Sequence, residues 1–408
     1  MAQENGRLPP SQIDSAMPGM GVPLEGEEEI EIEVDETEDN GEPTEIIENE
    51  DGSVSLDFNS AVQEELAAEQ DANLAEVIDE RILMVLGSEL LGLYEEDRES
   101  RQDWENSYAE GLKLLGLKYE ERDEPFRGSS GVTHPVIAEA VTQFQAQAYK
   151  ELLPASGPVR TQIVGAISPE VESQSQRVQD YMNYQIMHVM QEFDPELDRL
   201  LFYLPLAGSA FKKIYFDETL DRAVSKFIPA DDLVVPYNAT DLFSAARVTH
   251  VIRMLENEVK KLQAGGFYRD IPLKPYELDD ELREKERELS GISKTSVDND
   301  CTLIEMHTNL DLEGYEHTDP LEGLPTGIKL PYIVTIDLES QKILSIRRNW
   351  KEGDEYYKKL EYFAHYKFLP GLGFYGFGLL HMIGGLGRSA TSILRQLIDA
   401  GTLANLPA

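Results

Sequence analysis

The stretch that decides the fold is residues 204–229, LPLAGSAFKKIYFDETLDRAVSKFIP, where the helical period of apolar residues stops and strand alternation begins. Upstream of Gly208, apolar residues recur at steps of three and four, as one face of a helix requires. Downstream, FKKIYFD and RAVSKFIP flank the turn ETLD and predict a β-hairpin. Because helices precede this point and strands dominate after it, the fold class is predicted to be α+β and not alternating βαβ.

Working upstream, the apolar period predicts helices over residues 74–93 and 104–115. Further helix starts are marked by a capping residue close before a proline. These are Thr133 with Pro135, Ser168 with Pro169, and Asp194 with Pro195. The helix after Ser168 is expected to reach about Phe193, and Pro154 is expected to stop the one after Thr133.

Working downstream, strands are predicted at 247–254, 301–312, 331–338, 342–350 and 360–368. A helix over 256–264 should end at Gly265, and the charged stretch 274–290 should form a solvated helix or interface element. An amphipathic helix over about 386–400 closes the chain. The predicted architecture is therefore a helical N-terminal region, β-rich modules, and one amphipathic C-terminal helix.

Charge is distributed unevenly along the 408 residues, whose formal net charge is −41. Residues 1–80 contain 25 acidic residues and one basic residue, Arg7. Low apolar content in that part cannot offset the entropy of ordering, so residues 1–73 are predicted to be a disordered acidic arm. The alternation at Ile30, Ile32 and Val34 would suit a short strand if a partner supplied an edge.

The composition also excludes several classes of function. Tight binding of free nucleic acid is not expected, because duplex DNA is normally held by Lys and Arg. Cys301 is the single cysteine, which excludes a disulfide framework and a cysteine-rich zinc site and favours a reducing cytoplasm. No signal peptide and no membrane span are predicted.

Residues 371–378, GLGFYGFG, contain the spacing G-x-G-x-x-G of phosphate-binding turns. Such a turn must open a helix, and here the convincing helical period begins only near Leu386. Neither a kinase lysine nor a catalytic loop follows. The preferred interpretation is a close-packed turn where the backbone passes another element.

Other candidate chemistry is weak at the level of sequence. Glu305 and His307 share a strand face and, with His317, could suggest a metal site, but no third ligand recurs at metal spacing. Ser209 lacks the second glycine of a nucleophile elbow, and the adjacent Asp231 and Asp232 should point apart. No catalytic residue, metal ligand or cofactor is predicted.

Candidate subunit-interface residues come from two places. Lys212 and Lys213 have opposite facings on a strand, and one of them could meet a carboxylate of a neighbouring subunit. On the last helix, Arg388, Arg395 and Asp399 share a polar face that could lie against an identical helix in a ring. A solvated face is the alternative interpretation of that polar seam.

Three long segments carry a resemblance: EERDEPFRGSSGVTHPVIAEAVTQFQAQAYKELLP, LPLAGSAFKKIYFDETLDRAVSKFIPADDLVVPYNATDL and GLLHMIGGLGRSATSILRQLIDAGTLANLPA. They are similar to portal proteins (head-to-tail connectors) of tailed bacteriophages, in the subgroup from short-tailed and marine phages. The resemblance covers about residues 74–408. Residues 74–380 would then be mostly a wing-like α+β region, and residues 381–408 would begin the stem-helix region.

The resemblance implies a non-enzymatic ring, usually of twelve copies, at one vertex of the viral capsid. Through it the genome is packaged and ejected, and assembly takes place in the host cytoplasm. Implied partners are further copies of the chain, the terminase motor, the major capsid protein, tail or head-completion proteins, and double-stranded DNA in transit. Related portals are longer, so the clip, the rest of the stem and the crown are expected beyond a C-terminal truncation.

Two other classes of function remain open at this stage. An acidic scaffold or adaptor could use the arm to bind basic partners without forming a DNA channel. A nucleotide- or metal-dependent enzyme would have to be built on GLGFYG or on the Glu305/His307 pair. An acidic chain suits the passage of a polyanion, because fixed Lys–phosphate contacts would retard the DNA.

Overall fold

A computed structural model describes residues 70–116, 122–217, 220–273, 300–319, 324–371 and 373–405, with Lys285, Arg287 and the backbone of two short strands. The chain divides into two units, Met1–Phe58 and Asn59–Ala408. In the first unit, β1 (Glu45–Glu48) pairs antiparallel with β2 (Val54–Asp57). This hairpin lies inside the segment that the sequence predicts to be disordered. The alternation at residues 30–34 falls outside the described residues.

The second unit contains seven described helices, numbered here in chain order. They are α1 (Glu80–Ser100), α2 (Gln102–Leu112), α3 (Val136–Leu152), α4 (Pro169–Tyr184), α5 (Phe193–Ala207), α6 (Glu256–Ala264) and α7 (Leu379–Ala404). Short 3-10 turns at Leu74–Glu76 and Lys113–Leu115 precede α1 and follow α2. Among these described helices, none is long and apolar enough to cross a bilayer.

Eight strands of the second unit form two antiparallel sheets. They are β3 (Ser209–Asp217), β4 (Arg222–Pro229), β5 (Leu233–Val234), β6 (Arg247–Leu255), β7 (Asp300–Leu310), β8 (Leu330–Asp337), β9 (Ile343–Arg348) and β10 (Phe363–Lys367). The smaller sheet has the order β10-β3-β4 and the larger has β5-β6-β7-β8-β9. Helices and sheets therefore occupy largely separate parts of the chain, which confirms the prediction of a mixed α+β chain.

Helices cover both faces of the larger sheet, and the alternation along β7 shows how. Ile304 and Met306 belong to the core beneath α1, while Cys301 and Leu303 belong to the core beneath α6. Each face buries apolar side chains, so β7 can be apolar at successive positions. Asn73 closes the outer edge of the sheet: its side-chain amide donates to Leu344 O (3.1 Å) and accepts from Ile346 N (3.0 Å).

The smaller sheet packs against the other helices. Leu197 and Leu201 of α5 cover Ala210 and Phe227, and Phe144 of α3 packs on the same cluster. A second core joins α2, the start of α3 and the start of α7 to the remaining side chains of the sheet. Its members include the two aromatic residues of the glycine turn, Phe374 and Tyr375.

Several helix boundaries differ from the prediction for identifiable reasons. The predicted N-cap Thr133 is wrong: α3 begins at Val136 without a side-chain cap, because the Thr133 hydroxyl accepts instead from Arg395 Nη2 (3.1 Å). Ser168 does cap α4, accepting from Val171 N (3.3 Å), as predicted. That helix passes into one π turn over Gln185–Val189, and the next helix starts at Phe193.

The last helix starts earlier than predicted, at Leu379 and not near Leu386. The run GGLG at 384–387 hides its period, since glycines carry no apolar side chain. Two of these glycines nevertheless lie on the packed face, with Gly384 against Leu114 and Gly387 against Val136. Helix α6 and its end at Gly265 agree with the prediction. Most of the charged stretch 274–290 lies outside the described residues.

Candidate functional site

The glycine turn connects β10 to α7 and is packed against the chain's own backbone. Gly376 N donates to Ser209 Oγ (2.8 Å), and Phe377 N donates to Leu369 O (2.8 Å). A methyl group on Gly376 would collide with the carbonyl of Gly208, and one on Gly373 would meet the Tyr237 ring at 2.9 Å. The glycines are needed for this close approach, as the sequence interpretation proposed.

A strand does precede this turn and a helix does follow it, so the G-x-G-x-x-G context is closer to a phosphate turn than the sequence suggests. Its surroundings differ, because β10 is an edge strand of an antiparallel sheet and no parallel βαβ unit surrounds the turn among the described strands. The space above the glycines is filled by Gly208 and Tyr237. A pyrophosphate has no room at these amides.

Arg101, which the sequence analysis missed, fastens the turn to the rest of the fold. Its side chain is 2% exposed and donates to the carbonyl oxygens of Ala230 (2.9 Å), Asp231 (2.5 Å) and Leu233 (2.9 Å). It also donates to Tyr375 Oη (2.8 Å). Burial opposes the charge, but Tyr375 and Glu105 raise the pKa of Arg101, so it stays ionised.

Ser209 and His365 form a buried pair beneath the same turn. His365 Nε2 lies 3.0 Å from Ser209 Oγ, and the His365 ring stacks on both Phe211 and Phe374. Burial lowers the pKa of His365 to about 3. Ser209 has no exposed surface. The pair therefore holds the turn in place, and a substrate cannot reach the hydroxyl.

Lys213 and Glu305 join the two sheets through a buried ion pair. Lys213 Nζ lies 2.6 and 2.7 Å from the two carboxylate oxygens of Glu305, and His307 Nε2 lies 2.9 Å from Glu305 Oε1. Burial would raise the pKa of Glu305, but Lys213 and His307 hold it well below its usual value. Burial lowers the pKa of His250, beside this pair, to about 4.

The same geometry argues against a metal site at Glu305 and His307. The two side chains do share a face, as predicted, but Lys213 occupies the position where a cation would bind the carboxylate. His317 bonds instead to Thr326 Oγ1 (2.7 Å). Within the described residues, no group of three or more His, Cys, Asp or Glu side chains is arranged to hold a metal ion.

Lys212 and Lys213, predicted at a subunit interface, both make their contacts inside the chain. The Nζ of Lys212 sits 4.0 Å from the centroid of the Phe193 ring, and the residue is 3% exposed. Burial lowers its pKa to about 8, although Glu196 opposes that shift. Lys213 is paired with Glu305 of the same chain.

Arg395 and Asp399, also predicted at a subunit interface, anchor the Gly/Ser loop of their own chain, and their interface role stays a prediction. Arg395 Nε donates to Val132 O (2.7 Å), and Asp399 Oδ1 accepts from Ser130 N (2.7 Å). The loop is thereby tied to α7. Arg388 differs from them: it is two-thirds exposed, and its contact with the equally exposed Glu110 is 3.4 Å long. Of the five predicted interface residues, Arg388 is the most exposed.

Helix α7 presents two different faces. One face, with Leu380, Gly384, Gly387 and Thr391, is buried against the rest of the chain. The other, here called the α7 outer face, consists of large apolar side chains that are 56–69% exposed. Its members are Met382, Leu386, Ile393 and Leu397. Residues at these spacings fall on one side of a helix, so they form a continuous apolar stripe.

Helix α4 is the second exposed apolar element. It contains no buried residue, yet several of its large apolar side chains face solvent. These are Val171, Val178, Tyr181, Met182 and Tyr184, and the loop before the helix adds Val164 and Ile167, at 94% and 70% exposed. Helices of this length normally depend on packing of an apolar face for their stability.

Comparison of the chain with protein-family models and with curated proteins finds no match.

Proposed function

We propose that the chain is a structural subunit of a tailed-bacteriophage portal, the ring at one capsid vertex through which genomic DNA is packaged and ejected. The basis is the resemblance of three long segments to portal proteins. On this proposal the smaller and larger sheets with their helices belong to the wing, and α7 begins the stem. The terminase, the major capsid protein and the tail or head-completion proteins would be its partners.

The observation that carries the proposal is the α7 outer face. A stripe of four large apolar side chains, each more than half exposed, is unfavourable in a monomer, because burial of apolar area is worth about 25 cal/mol per Å². A stem helix in a ring would bury such a stripe against its neighbour. The acidic balance of the chain supports the same function, since weak contact with phosphate lets DNA slide.

The proposal is tested with the 408-residue chain by native mass spectrometry and negative-stain microscopy at micromolar concentration. The expected result is a closed ring, usually of twelve copies, around a central hole. The pair Leu386→Asp with Ile393→Asp should disperse the ring, because a charge on the stripe would be buried at the contact. Tyr356→Asp, at a side chain 79% exposed elsewhere, is the matched control and should leave the ring intact.

Two results would overturn the proposal. One is a chain that stays monomeric at every concentration. The other is a ring that forms equally well with both α7 substitutions, because the stripe would then have no part in assembly.

A further inference from the structure

We propose that a cleft beside α7 binds a compact polyphosphate, a ligand with two or more linked phosphate groups. The cleft has a volume of about 360 Å³ and is lined by residues of α7, of the 3-10 turn Lys113–Leu115 and of the loop between Arg122 and Thr133. This size lies near the lower limit for small-molecule pockets in proteins. Such a site would be present in a single chain, whether or not the chain forms a ring.

The lining of this cleft is cationic, although the chain has a formal net charge of −41. Four cations and one carboxylate are found among its described residues, namely Lys113, Arg122, Arg388, Arg395 and Asp399. Asp399 already accepts from the Ser130 amide (2.7 Å). Asp123 and Glu124 follow Arg122 in the sequence, but both are exposed and neither lines the cleft. A cleft lined by one sign of charge concentrates the electrostatic potential, so it attracts a ligand of the opposite sign.

Three of these cations are available to a ligand. Neither Lys113 nor Arg122 forms an ion pair with a carboxylate in the part of the chain that the structure describes. The Arg122 guanidinium makes one long contact, 3.5 Å, with Ser130 O. Arg388 contacts Glu110 at 3.4 Å, and because both side chains are two-thirds exposed, this contact is worth little.

The cations form two groups along α7. Arg388 and Arg395 are seven residues apart, so they lie on the same side of the helix and about 10 Å apart along its axis. Arg122 and Arg395 both contact carbonyl oxygens of residues 130–132, which places them at one end of the cleft. At the other end, the turn that contains Lys113 packs against Gly384, one helical turn before Arg388. A ligand that contacts both groups must therefore be elongated and carry more than one negative charge.

The chemistry of the lining favours phosphate groups. Arginine presents a fork of N–H donors that matches phosphate oxygens, and lysine adds a point charge. Ser392 and Gln396 line the same cleft and supply uncharged donors. Each phosphate group carries several acceptor oxygens in a small volume, so a chain of two or three phosphates can reach both groups of cations.

A DNA duplex is not the expected ligand of this cleft. Its phosphates follow the outside of a wide rod, and a protein holds them with cations spread over an extended surface. Here the cations lie within one small cleft. The site is therefore compatible with a portal that contacts DNA only weakly during its passage.

Isothermal titration calorimetry of the 408-residue chain with tripolyphosphate at low salt tests the site. One tripolyphosphate should bind per chain. The affinity should increase from orthophosphate to pyrophosphate to tripolyphosphate, because a longer chain contacts both groups of cations. ATP distinguishes two sources of the same chemistry: tighter binding than tripolyphosphate would identify a nucleotide, equal binding would identify a free polyphosphate, and either result supports the site.

Substitutions in the cleft supply the second part of the test. Arg388→Gln and Lys113→Gln should each weaken tripolyphosphate binding roughly two- to fivefold, as expected for one exposed charge contact. Together they should weaken it about tenfold or more. Arg177→Gln and Lys226→Gln remove the same kinds of charge at exposed positions outside the cleft, and they should leave the affinity unchanged. Circular dichroism confirms that each variant is folded before titration.

Four results would overturn the polyphosphate site. A chain that binds no tripolyphosphate is the first. Orthophosphate that binds as tightly as tripolyphosphate is the second, because the two groups of cations would then not act together. The third is a pair of cleft variants that lose no more affinity than Arg177→Gln, which would place binding elsewhere on the chain. The fourth is displacement of tripolyphosphate at lower concentration by a DNA duplex or by a peptide of residues 25–39, which contains ten acidic residues, because the cleft would then belong to a macromolecule. None of these results changes the test of the portal proposal, which measures ring formation.

Discussion

Removal of the Lys213 ammonium group should be among the most damaging single changes in this chain. Its Nζ lies 2.6 and 2.7 Å from the Glu305 oxygens, and both side chains are more than four-fifths buried. At such a distance and an effective dielectric constant near 20, the attraction is about 6 kcal/mol. Desolvation of the two ions costs several kcal/mol each, so the net contribution of the intact pair is small.

Lys213→Met therefore does more than remove an attraction, because it leaves the Glu305 carboxylate buried without its cation. The expected loss in the free energy of unfolding is about 3–5 kcal/mol. The double variant Lys213→Met with Glu305→Leu replaces both ions by apolar groups and should recover most of that loss. Lys226→Met, at an exposed lysine on the neighbouring strand, is the matched control and should cost under about 1 kcal/mol.

Urea unfolding provides the measurement, followed by the fluorescence of Trp104 and Trp350, which lie in two different cores. The reasoning would be refuted if Lys213→Met cost no more than Lys226→Met. It would also be refuted if the double variant were less stable than Lys213→Met alone, because the penalty would then not come from an unpaired carboxylate.

Three further predictions concern the turn, the pH dependence and the assembly. Gly208 has φ +88, and a Cβ at this position would strike the backbone of Gly376 to Gly378, so Gly208→Ala should lower the free energy of unfolding by at least about 3 kcal/mol. Gly266 has φ +71 but lies in open space, so Gly266→Ala should lower it by only about 1 kcal/mol. Urea unfolding measures both losses. Burial lowers the pKa of His250 in the folded state to about 4, below the unfolded value near 6.5. Between these two values the unfolded state binds more protons than the folded state. The free energy of unfolding should therefore fall by up to about 3 kcal/mol as the pH drops through that window. His250→Phe should flatten this part of the stability–pH curve, and an unchanged slope would contradict the assignment. Finally, each chain has a formal net charge of −41, and salt screens the repulsion between chains more than it weakens single exposed ion pairs. Association measured by sedimentation should therefore be stronger at 500 mM than at 50 mM salt. Dissociation at high salt would instead indicate a contact driven by charge.

The order of the elements could be predicted from sequence because it depends on local periodicity. The hairpin of β3 and β4, the strand β6 and the helix α6 with its end at Gly265 all follow from short-range patterns. The start of α7 could not be predicted, because its glycines face a neighbouring helix and their role depends on contacts distant in sequence. Thr133 failed as an N-cap for the same kind of reason, since Arg395 binds its hydroxyl.

The candidate site was harder to predict, because charged residues have the same sequence signature whether they are buried or exposed. Lys212 and Lys213 alternate on a strand, and nothing local indicates that Phe193 covers one while Glu305 neutralises the other. Arg101 carries no motif at all, and its partners lie about 130 and 274 residues away. The apolar residues of the α7 outer face recur at helical spacing in the sequence, although that spacing alone does not show which side of the helix is packed.

In this chain, ion pairs lie mainly between interior residues, whereas exposed apolar side chains are available for contacts between copies. This arrangement suits the proposed portal. Several interior cations pair with carboxylates of the same chain, as in Arg247 with Asp97 and Arg253 with Asp232, so these pairs help to determine internal geometry. Large apolar side chains remain exposed on α4 and α7 and are available for association. A ring held chiefly by basic groups would also bind the polyanion that must pass through it. A ring held mainly by apolar contacts between acidic subunits can be stable while its surface has little affinity for duplex DNA.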